Sequence, residues 1–195
     1  GGKVRDKVRL YAMTGGGSVD EIVEKATSYV NEGFTAVKID PIPPDYQLLS
    51  HVDLIKETVA RVRSVRETVG SHIDIGVEIH RRLSPGEAIA VGVELERYHL
   101  LFYEDPIHAE NIQSWREVAE HVRIPIATGE RLYNIFEFRE LLEARGAHIV
   151  RPDVGVAGGL TQCKKIAAVA ESYSAMFMSH NAFSPITTTA HVHLD

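Results

Sequence analysis

The sequence predicts an α/β fold in which parallel strands alternate with helices and close into a TIM-type (β/α) barrel. Seven short apolar segments rich in β-branched residues are separated by amphipathic stretches, and parallel strands need crossover connections that usually are helices. A polar residue ends nearly every predicted strand. A barrel brings all strand ends to one rim, whereas an open sheet has a crevice only at its switch point. The residues that end strands three to seven follow one another at intervals of 26, 26, 23 and 27 positions, as one repeating unit would: Glu78, Glu104, Glu130, Asp153 and His180.

The strands are predicted where an apolar run is too short for a helix. In chain order these runs are RLYAM at 9–13, AVKID at 36–40, DIGVE at 74–78, LFYE at 101–104, IPIAT at 124–128, HIVRPD at 148–153 and AMFMSH at 175–180. Each run is followed by a stretch with the pattern of an amphipathic helix, so every strand is expected to be parallel to the one before it.

The helices are predicted in these intervening stretches, at 19–31, 48–69, 85–97, 112–120, 135–143 and 160–172, and a further helix follows the seventh strand. The third helix has the clearest start. Ser84 precedes it as a plausible N-cap, and Glu87 lies three residues later, which is the spacing of a capping box.

The composition excludes several classes of protein. The 195 residues are 44% hydrophobic and 25% charged, as in an ordinary globular domain, so disorder, collagen and long coiled coils are not expected. Asp and Glu (27) outnumber Lys and Arg (21), giving a formal charge of −6, and this argues against nucleic-acid binding. No apolar run reaches the roughly 18 residues of a membrane span, and no signal-peptide pattern is present. The single cysteine, Cys163, excludes an internal disulfide and predicts a reducing, cytoplasmic location.

We expect residues 1–195 to form one partial barrel domain that contains strands one to seven. A complete barrel of this type has eight strands and needs about 250 residues, so the eighth strand is expected to lie outside this chain. Strands one and seven would then be unpaired edges, which favour aggregation. The chain purified alone is therefore expected to be poorly soluble or inactive.

Three glutamates end or follow consecutive strands of the predicted barrel: Glu78, Glu104 and Glu130. On adjacent strands their carboxylates would crowd into one pocket, where like charges raise pKa values sharply. A hard divalent cation resolves this conflict, and oxygen ligands of this kind suit Mg²⁺. The alternative is that each carboxylate pairs separately with an Arg or Lys. Equal spacing on three consecutive strands favours the metal site.

Two histidines are expected at the same rim. Glu78 and His80 are two positions apart, so on a continuing strand both side chains would point toward the barrel mouth. His180 ends the seventh strand beside Asp153. An Asp that accepts from one imidazole nitrogen fixes the tautomer and raises the basicity of the other nitrogen. His80 and His180 would then flank the metal from opposite sides, one removing a proton while the other delivers one.

No functional role is predicted for the other histidines. The pair His191 and His193 has a spacing that resembles a metal motif, but it lies on the predicted terminal helix and is not assigned to a metal. The remaining six are expected on the surface or as satisfied core residues: His51, His72, His99, His108, His121 and His148.

Five motifs in this order resemble those of the mandelate racemase branch of the enolase superfamily, most closely its acid-sugar dehydratases of the galactonate dehydratase type. They extend over essentially the whole chain and are EIHRR at 78–82, YEDP at 103–106, TGER at 128–131, RPD at 151–153 continuing to AGG at 157–159, and SHN at 179–181. The resemblance implies a modified (β/α)7β barrel, an N-terminal capping domain outside this chain, and a homo-oligomer. The site residues it implies are the Mg²⁺ ligands Glu78, Glu104 and Glu130, the dyad of His180 and Asp153, and the acid His80.

The chain departs from this family at two positions. Family members usually have Asp as the third-strand ligand, whereas this chain has Glu78, whose carboxylate must bend back to reach an Mg–O distance near 2.0–2.1 Å. Racemases of this branch carry Lys-x-Lys at strand two, where this chain has Lys38-Ile39-Asp40. Without the second lysine, two-base racemisation is not expected and dehydration fits. Lys38 either stabilises an oxyanion or pairs structurally with a nearby carboxylate.

The resemblance implies a Mg²⁺-dependent dehydratase whose substrate is a small sugar acid. His180, oriented by Asp153, would take the C2 proton, and His80 would protonate the departing C3 hydroxyl to give a 2-keto-3-deoxy sugar acid. Glu130 and Arg82 are expected to contact substrate, and a surface role for Arg82 is equally open. Alternatives are a mannonate dehydratase-like activity and a non-catalytic relative with weakened metal binding. A phosphate-binding barrel that uses the glycine pair at 158–159 is a weaker alternative, because paired glycines also serve close helix–sheet packing.

Overall fold

The computed structural model describes residues 2–108 and 110–195, and it contains a sheet of seven parallel strands joined by helices. The strands lie side by side in chain order, and each neighbouring pair is parallel. They are β1 Ala12–Gly15, β2 Ala36–Asp40, β3 Asp74–Glu78, β4 Phe102–Glu104, β5 Ile126–Thr128, β6 Ile149–Val150 and β7 Met176–Phe177. The predicted α/β fold with a parallel sheet is confirmed.

A helix follows each strand. The helices are α1 Val19–Asn31, α2 His51–Val69, α3 Pro85–Leu95, α4 Ile112–His121, α5 Ile135–Glu143, α6 Leu160–Ser172 and α7 Pro185–Leu194. The predicted capping box of α3 is present, because the Ser84 hydroxyl accepts from the backbone N–H of Glu87 and the Glu87 carboxylate accepts from that of Ser84. Among the described residues, no helix is both long enough and apolar enough to cross a membrane.

Successive side chains along each strand point alternately to an outer face, which the helices cover, and to an inner face, which carries polar groups. Val37 and Ile75 are fully buried in the core between sheet and helices. The opposite face carries Lys38, Gly76 and Phe102, which are adjacent in the strand register. Gly76 is required there, because a Cβ at this position would lie 2.2 Å from the Phe102 ring. The inner face is therefore narrow below the rim.

The two ends of the sheet approach each other through side chains on this inner face. The Arg151 guanidinium, just after β6, donates to the Tyr11 hydroxyl, just before β1, at 2.6 Å. The Tyr11 and Phe102 rings lie 5.9 Å apart between centroids. Contacts from β1 to both β4 and β6 require a curved sheet, as a barrel has.

Several predicted boundaries are wrong by a few residues. β1 begins at Ala12, three residues later than predicted, because its register with β2 places Ala12 beside Val37, whereas Leu10 is 60% exposed. β6 and β7 end three residues before Asp153 and His180. Pro152 has no N–H to continue the ladder of β6. Both functional residues lie in the loops that follow the strands, and a backbone hydrogen bond from the His180 N–H to the Pro152 carbonyl, at 3.1 Å, joins these loops.

The helix boundaries differ less. α2 begins at His51 rather than at residue 48, because Tyr46–Leu48 forms a short 3₁₀ turn and Ser50 caps the helix through the N–H of Asp53. α3 ends at Leu95 and continues as the 3₁₀ turn Glu96–Tyr98.

Candidate active site

Three carboxylates meet at the rim of the sheet, as the strand spacing predicts. Glu78 and Glu104 end β3 and β4 and are direct neighbours in the strand register. Glu130 lies two residues beyond β5. The three side chains each offer an oxygen within 4.8 Å of the others. Glu78 and Glu104 are 3% and 1% exposed, so two of the three carboxylates are withdrawn from solvent.

Two buried cations neutralise the inner pair of carboxylates. The Lys38 ammonium, from β2, lies 2.8 Å from Glu78 Oε2 and 2.9 Å from Glu104 Oε2. Arg151 also forms an ion pair with Glu104. Burial and then the Glu104 carboxylate raise the pKa of Glu78 to about 8, although Lys38 opposes this. Burial is the largest influence and alone would lower the pKa of Lys38, but the charges of Glu104, Tyr11 and Glu78 together outweigh it and raise the pKa.

The third carboxylate has different partners. Glu130 forms an ion pair with Arg81, and its Oε2 lies 3.0 Å from His180 Nε2. Burial would raise its pKa, but the hydrogen bond and charge of His180, together with Arg81, lower the pKa of Glu130 to about 2. This carboxylate is therefore a permanent anion at neutral pH, as a cation ligand must be.

These residues fit a hard divalent cation. Glu104 Oε1 is buried and has no hydrogen-bond partner among the described residues. An ion between the three carboxylates would give this oxygen a partner and would offset the repulsion that raises the pKa of Glu78. Mg²⁺ favours such carboxylate oxygens and retains positions for other ligands. Glu78, Glu104 and Glu130 are the residues that could hold it.

A histidine–aspartate pair lies beside this cluster. His180 Nδ1 is 3.0 Å from Asp153 Oδ2, and Asp153 is fully buried. The other carboxylate oxygen, Oδ1, accepts from the N–H of Gly155 at 2.7 Å. Burial would lower the pKa of His180, but its bonds to Glu130 and Asp153 outweigh burial and raise the pKa. The imidazole is thus held between two carboxylates, with Nε2 toward the proposed cation ligands.

His80 reaches the site by a route the sequence does not predict. β3 ends at Glu78, so the premise of a continuing strand is wrong: His80 and Arg81 have φ values of 56° and 64°, in the left-handed region. The turn is stabilised by a bond from the His80 N–H to Glu78 Oε1 at 2.8 Å. The exposed His80 imidazole has Nε2 2.9 Å from Arg81 Nη2. Burial, and next the Arg81 charge, lower the pKa of His80.

Arg82 points toward β2 rather than toward the three carboxylates. Its guanidinium forms an ion pair with Asp40 and donates to the Ile79 carbonyl at 2.7 Å. Asp40 also accepts from the N–H of Ile42 at 3.1 Å. Asp40 occupies the position at which racemases of the mandelate racemase branch have their second lysine. Here its carboxylate forms an ion pair with Arg82 and has a structural role. The proposed substrate contact of Arg82 stays a prediction.

Three residues of the site were not assigned from the sequence: Tyr11, Arg81 and Arg151. Arg151 is 1% exposed and carries the ion pair with Glu104. Its position two residues before Asp153, within one motif, was the available signal, since alternate residues share a face. Arg81 bridges Glu130 and Asp105, with Nη1 2.9 Å from Asp105 Oδ2. No sequence signal marks this bridge, because it depends on the left-handed turn.

The other histidines divide as expected, with one exception. The six assigned to the surface or to satisfied core positions are all exposed: His51, His72, His99, His108, His121 and His148. On α7, His193 is exposed whereas His191 is 3% exposed. The two side chains therefore lie in different environments.

Comparison with known proteins gives the same family as the motifs. The family model described as "Enolase C-terminal domain-like" matches residues 21–195. The D-galactonate dehydratase of Ralstonia pickettii (strain 12J) is 35% identical over 195 residues, which is 100% of this chain and 51% of that protein. The D-galactonate dehydratase of Xanthomonas oryzae pv. oryzae (strain PXO99A) is 36% identical with the same coverage. A crystal structure of an enolase from Agrobacterium radiobacter, with bound Na and L-malate, matches with a TM-score of 0.92 and 34% identity, over 99% of this chain and 50% of that chain.

The chain spans about half the length of the curated relatives it matches. The part matched by the family model begins in α1 and includes every strand end that carries a carboxylate or histidine of the site. The similar solved structure extends the agreement to the arrangement of the strands. The chain therefore belongs to the Enolase C-terminal domain-like family.

Proposed function

We propose that the protein is a Mg²⁺-dependent acid-sugar dehydratase, similar to galactonate dehydratases, and that this chain supplies its metal ligands and its acid–base residues. The observation that carries the proposal is the placement of His180. Its imidazole is bonded to the buried Asp153 on one side and lies 3.0 Å from Glu130 Oε2, a proposed metal ligand, on the other. A base beside a carboxylate-bound cation suits removal of a proton next to a substrate carboxylate. The relatives named D-galactonate dehydratase support the substrate class.

Glu78, Glu104 and Glu130 would hold the cation. When bound, Mg²⁺ supplies stabilisation of the negative charge that develops on the substrate carboxylate as the C2 proton leaves. Lys38 donates to both Glu78 and Glu104, at 2.8 and 2.9 Å, and keeps their carboxylates oriented toward the same point. This contact supports the structural alternative for Lys38 over direct contact with an oxyanion.

His180 would accept the C2 proton at Nε2. Asp153 accepts a hydrogen bond from Nδ1–H, which makes Nε2 the nitrogen that takes up the proton, and Asp153 and Glu130 both stabilise the imidazolium that forms. The electron pair of the C2–H bond becomes the C2–C3 double bond as the C3–O bond breaks. The resulting enol rearranges to the 2-keto-3-deoxy acid.

His80 would protonate the departing C3 hydroxyl, which leaves as water. The pKa of His80 is lowered, so its protonated form is a stronger acid than an ordinary imidazolium. Arg81 links the proposed acid to the proposed metal ligands, because its guanidinium forms an ion pair with Glu130 and its Nη2 lies 2.9 Å from His80 Nε2. Racemisation is disfavoured, since Asp40 occupies the second-lysine position and is bound by Arg82.

A screen of sugar-acid stereoisomers tests the proposal. With Mg²⁺ present, we expect at least one isomer to lose one water and yield a 2-keto acid, measured by mass spectrometry and keto-acid detection. His180→Asn should lower turnover at least about 100-fold, whereas His72→Asn, at an exposed histidine, should not. Chelation of divalent metal should abolish activity and added Mg²⁺ should restore it.

The outcomes separate the alternatives. Turnover of mannonate alone would replace the galactonate assignment. Absence of Mg²⁺ binding by calorimetry, together with no turnover of any isomer, would favour the non-catalytic relative. Unchanged activity in His180→Asn would contradict the base assignment, and activity that survives chelation would contradict the metal.

We further propose that the protein acts in the cytoplasm as a homo-oligomer. The presence of a single cysteine, Cys163, which is a free thiol, suits a reducing compartment, because oxidising compartments favour disulfide-bonded proteins. Sedimentation analysis of the purified protein measures the oligomeric state, and a monomer at micromolar concentration would contradict that part.

A further inference from the structure

A buried histidine on α7 lies directly against the loop that carries the catalytic aspartate. His191 is 3% exposed, and its Nε2 is 3.5 Å from the backbone nitrogen of Val154 and 3.9 Å from Asp153 Oδ2. Its Nδ1 has no hydrogen-bond partner among the described residues. A buried polar atom without a partner is unfavourable, and an apolar side chain at this position would avoid that cost. The polar side chain therefore calls for an explanation.

The distances define what the imidazole does. At 3.9 Å, Nε2 is too far from Asp153 Oδ2 for a hydrogen bond, whereas the Val154 N–H donates a long hydrogen bond to Nε2, at 3.5 Å. His191 is then an acceptor at Nε2, with its proton on Nδ1. Nε2 accepts a hydrogen bond from the N–H of Val154, the residue after Asp153, and this bond restrains the backbone next to the Asp153 carboxylate.

A second residue of α7, Thr187, also lies close to this loop. A Cβ built on Gly155 would lie 3.2 Å from Asp153 Oδ1 and 3.5 Å from Thr187 Cγ2, so the loop fits closely between the carboxylate and the helix. Asp153 Oδ1 accepts from the Gly155 N–H, and Oδ2 is left for His180 Nδ1. His191 thus lies one contact away from the group that orients His180.

We propose that His191 is a positioning residue for the proton transfer. By accepting from Val154 N–H it holds the loop at 153–155, and through Asp153 it keeps the His180 imidazole oriented with Nε2 toward the substrate. This inference rests on the proposed function in assigning His180 as the base. It does not require His191 to touch substrate or metal.

The test compares three variants of the protein assayed with Mg²⁺. His191→Leu leaves the Val154 N–H without its acceptor, which costs stability, but it also removes the unpartnered Nδ1, which offsets that cost. We therefore expect the melting temperature to change little, while kcat falls about 10- to 100-fold and KM changes less than twofold. His191→Gln keeps an acceptor oxygen and should retain most of the activity. His193→Leu, at the exposed histidine of the same helix, is the matched control and should match the unaltered protein.

A second readout does not depend on turnover. Ring-¹⁵N histidine spectra at about pH 9 report the tautomer of His180, which should carry its proton on Nδ1 in the unaltered protein and in His193→Leu. In His191→Leu we expect a mixture of tautomers. If no sugar acid is turned over by the unaltered protein, the proposed function fails, and these spectra still decide the positioning role.

The results that would overturn the inference are specific. Unchanged kcat and an unchanged His180 tautomer in His191→Leu would overturn it. Parallel loss of stability and activity in His191→Gln would mean that His191 is a structural core residue only. If His191→Leu does not fold, a near-normal kcat and tautomer in His191→Gln support the proposal, and their loss overturns it.

Discussion

Replacing Lys38 with methionine would test how the rim carboxylates are neutralised. The Lys38 ammonium is 5% exposed and lies within 2.9 Å of both Glu78 and Glu104. Removing one partner of a buried ion pair typically costs about 3–5 kcal/mol. The pKa of Glu78 is raised to about 8, so this carboxyl is already largely protonated at pH 7, and the loss of Lys38 leaves mainly the Glu104 charge unpaired by an ammonium. We therefore expect Lys38→Met to lower the free energy of unfolding by about 3 kcal/mol at pH 7 without divalent metal.

Mg²⁺ should reduce the difference in unfolding free energy between Lys38→Met and the unaltered protein. Lys38 and a bound cation neutralise the same two carboxylates, so the variant should bind Mg²⁺ more tightly than the unaltered protein. Each tenfold gain in affinity adds about 1.4 kcal/mol of stabilisation at saturating metal. Urea denaturation followed by circular dichroism, with and without Mg²⁺, measures both quantities.

The control for this experiment is Lys164→Met, an exposed lysine on α6, which should change the unfolding free energy by less than about 0.5 kcal/mol. The reasoning is refuted if Lys38→Met is as stable as Lys164→Met in metal-free buffer. It is also refuted if Mg²⁺ stabilises the unaltered protein as much as or more than Lys38→Met.

Three further predictions concern residues away from the carboxylates. His148 is exposed on one side, but its Nδ1 accepts from the N–H of Ile126 at 3.1 Å, and the partial burial of the ring lowers its pKa. The stabilisation from this bond is present above about pH 6.5 and is lost as the pH falls through the lowered value. The decrease in the free energy of unfolding between pH 7.5 and 5 should therefore be smaller in His148→Asn. Gly76→Ala should destabilise by at least about 2 kcal/mol, because its Cβ would meet the Phe102 ring at 2.2 Å; thermal unfolding measures this, and an unchanged melting temperature would contradict it. The Cys163 thiol, buried and with its pKa raised to about 11, should react with a thiol reagent such as DTNB at pH 8 only after urea is added; rapid reaction of the folded protein would contradict its burial.

Sequence reasoning predicts the parts of the site that depend on one strand alone. Glu78 and Glu104 each end an apolar run, and once the strands are parallel and adjacent, their proximity follows from the order of the strands. The pairing of His180 with Asp153 follows in the same way from neighbouring strands. These features need only local pattern and one rule of topology.

The other parts of the site depend on contacts across the barrel or on backbone turns, and no residue type in the sequence indicates these. Arg151 meets Tyr11 and Glu104 because the sheet curves, and the spacing of strands gives no distance across the interior. The left-handed turn at His80 and Arg81 contains no glycine, so its sequence gives no sign that the strand stops at Glu78. His191 is buried whereas the apolar Val192 beside it is exposed, and α7 is only weakly amphipathic, so its pattern does not show which face is buried.

The contact between Tyr11 and Arg151 has a consequence for reading sequence variation in this protein. One guanidinium joins a phenol that precedes the first strand to a carboxylate that ends the fourth. A substitution at residue 11 that moved this guanidinium would therefore change the charge balance around Glu104, about ninety positions away along the chain. Differences among related sequences in the segment before β1, which would ordinarily be read as neutral drift, are in this protein candidates for tuning how firmly the site would hold the proposed cation.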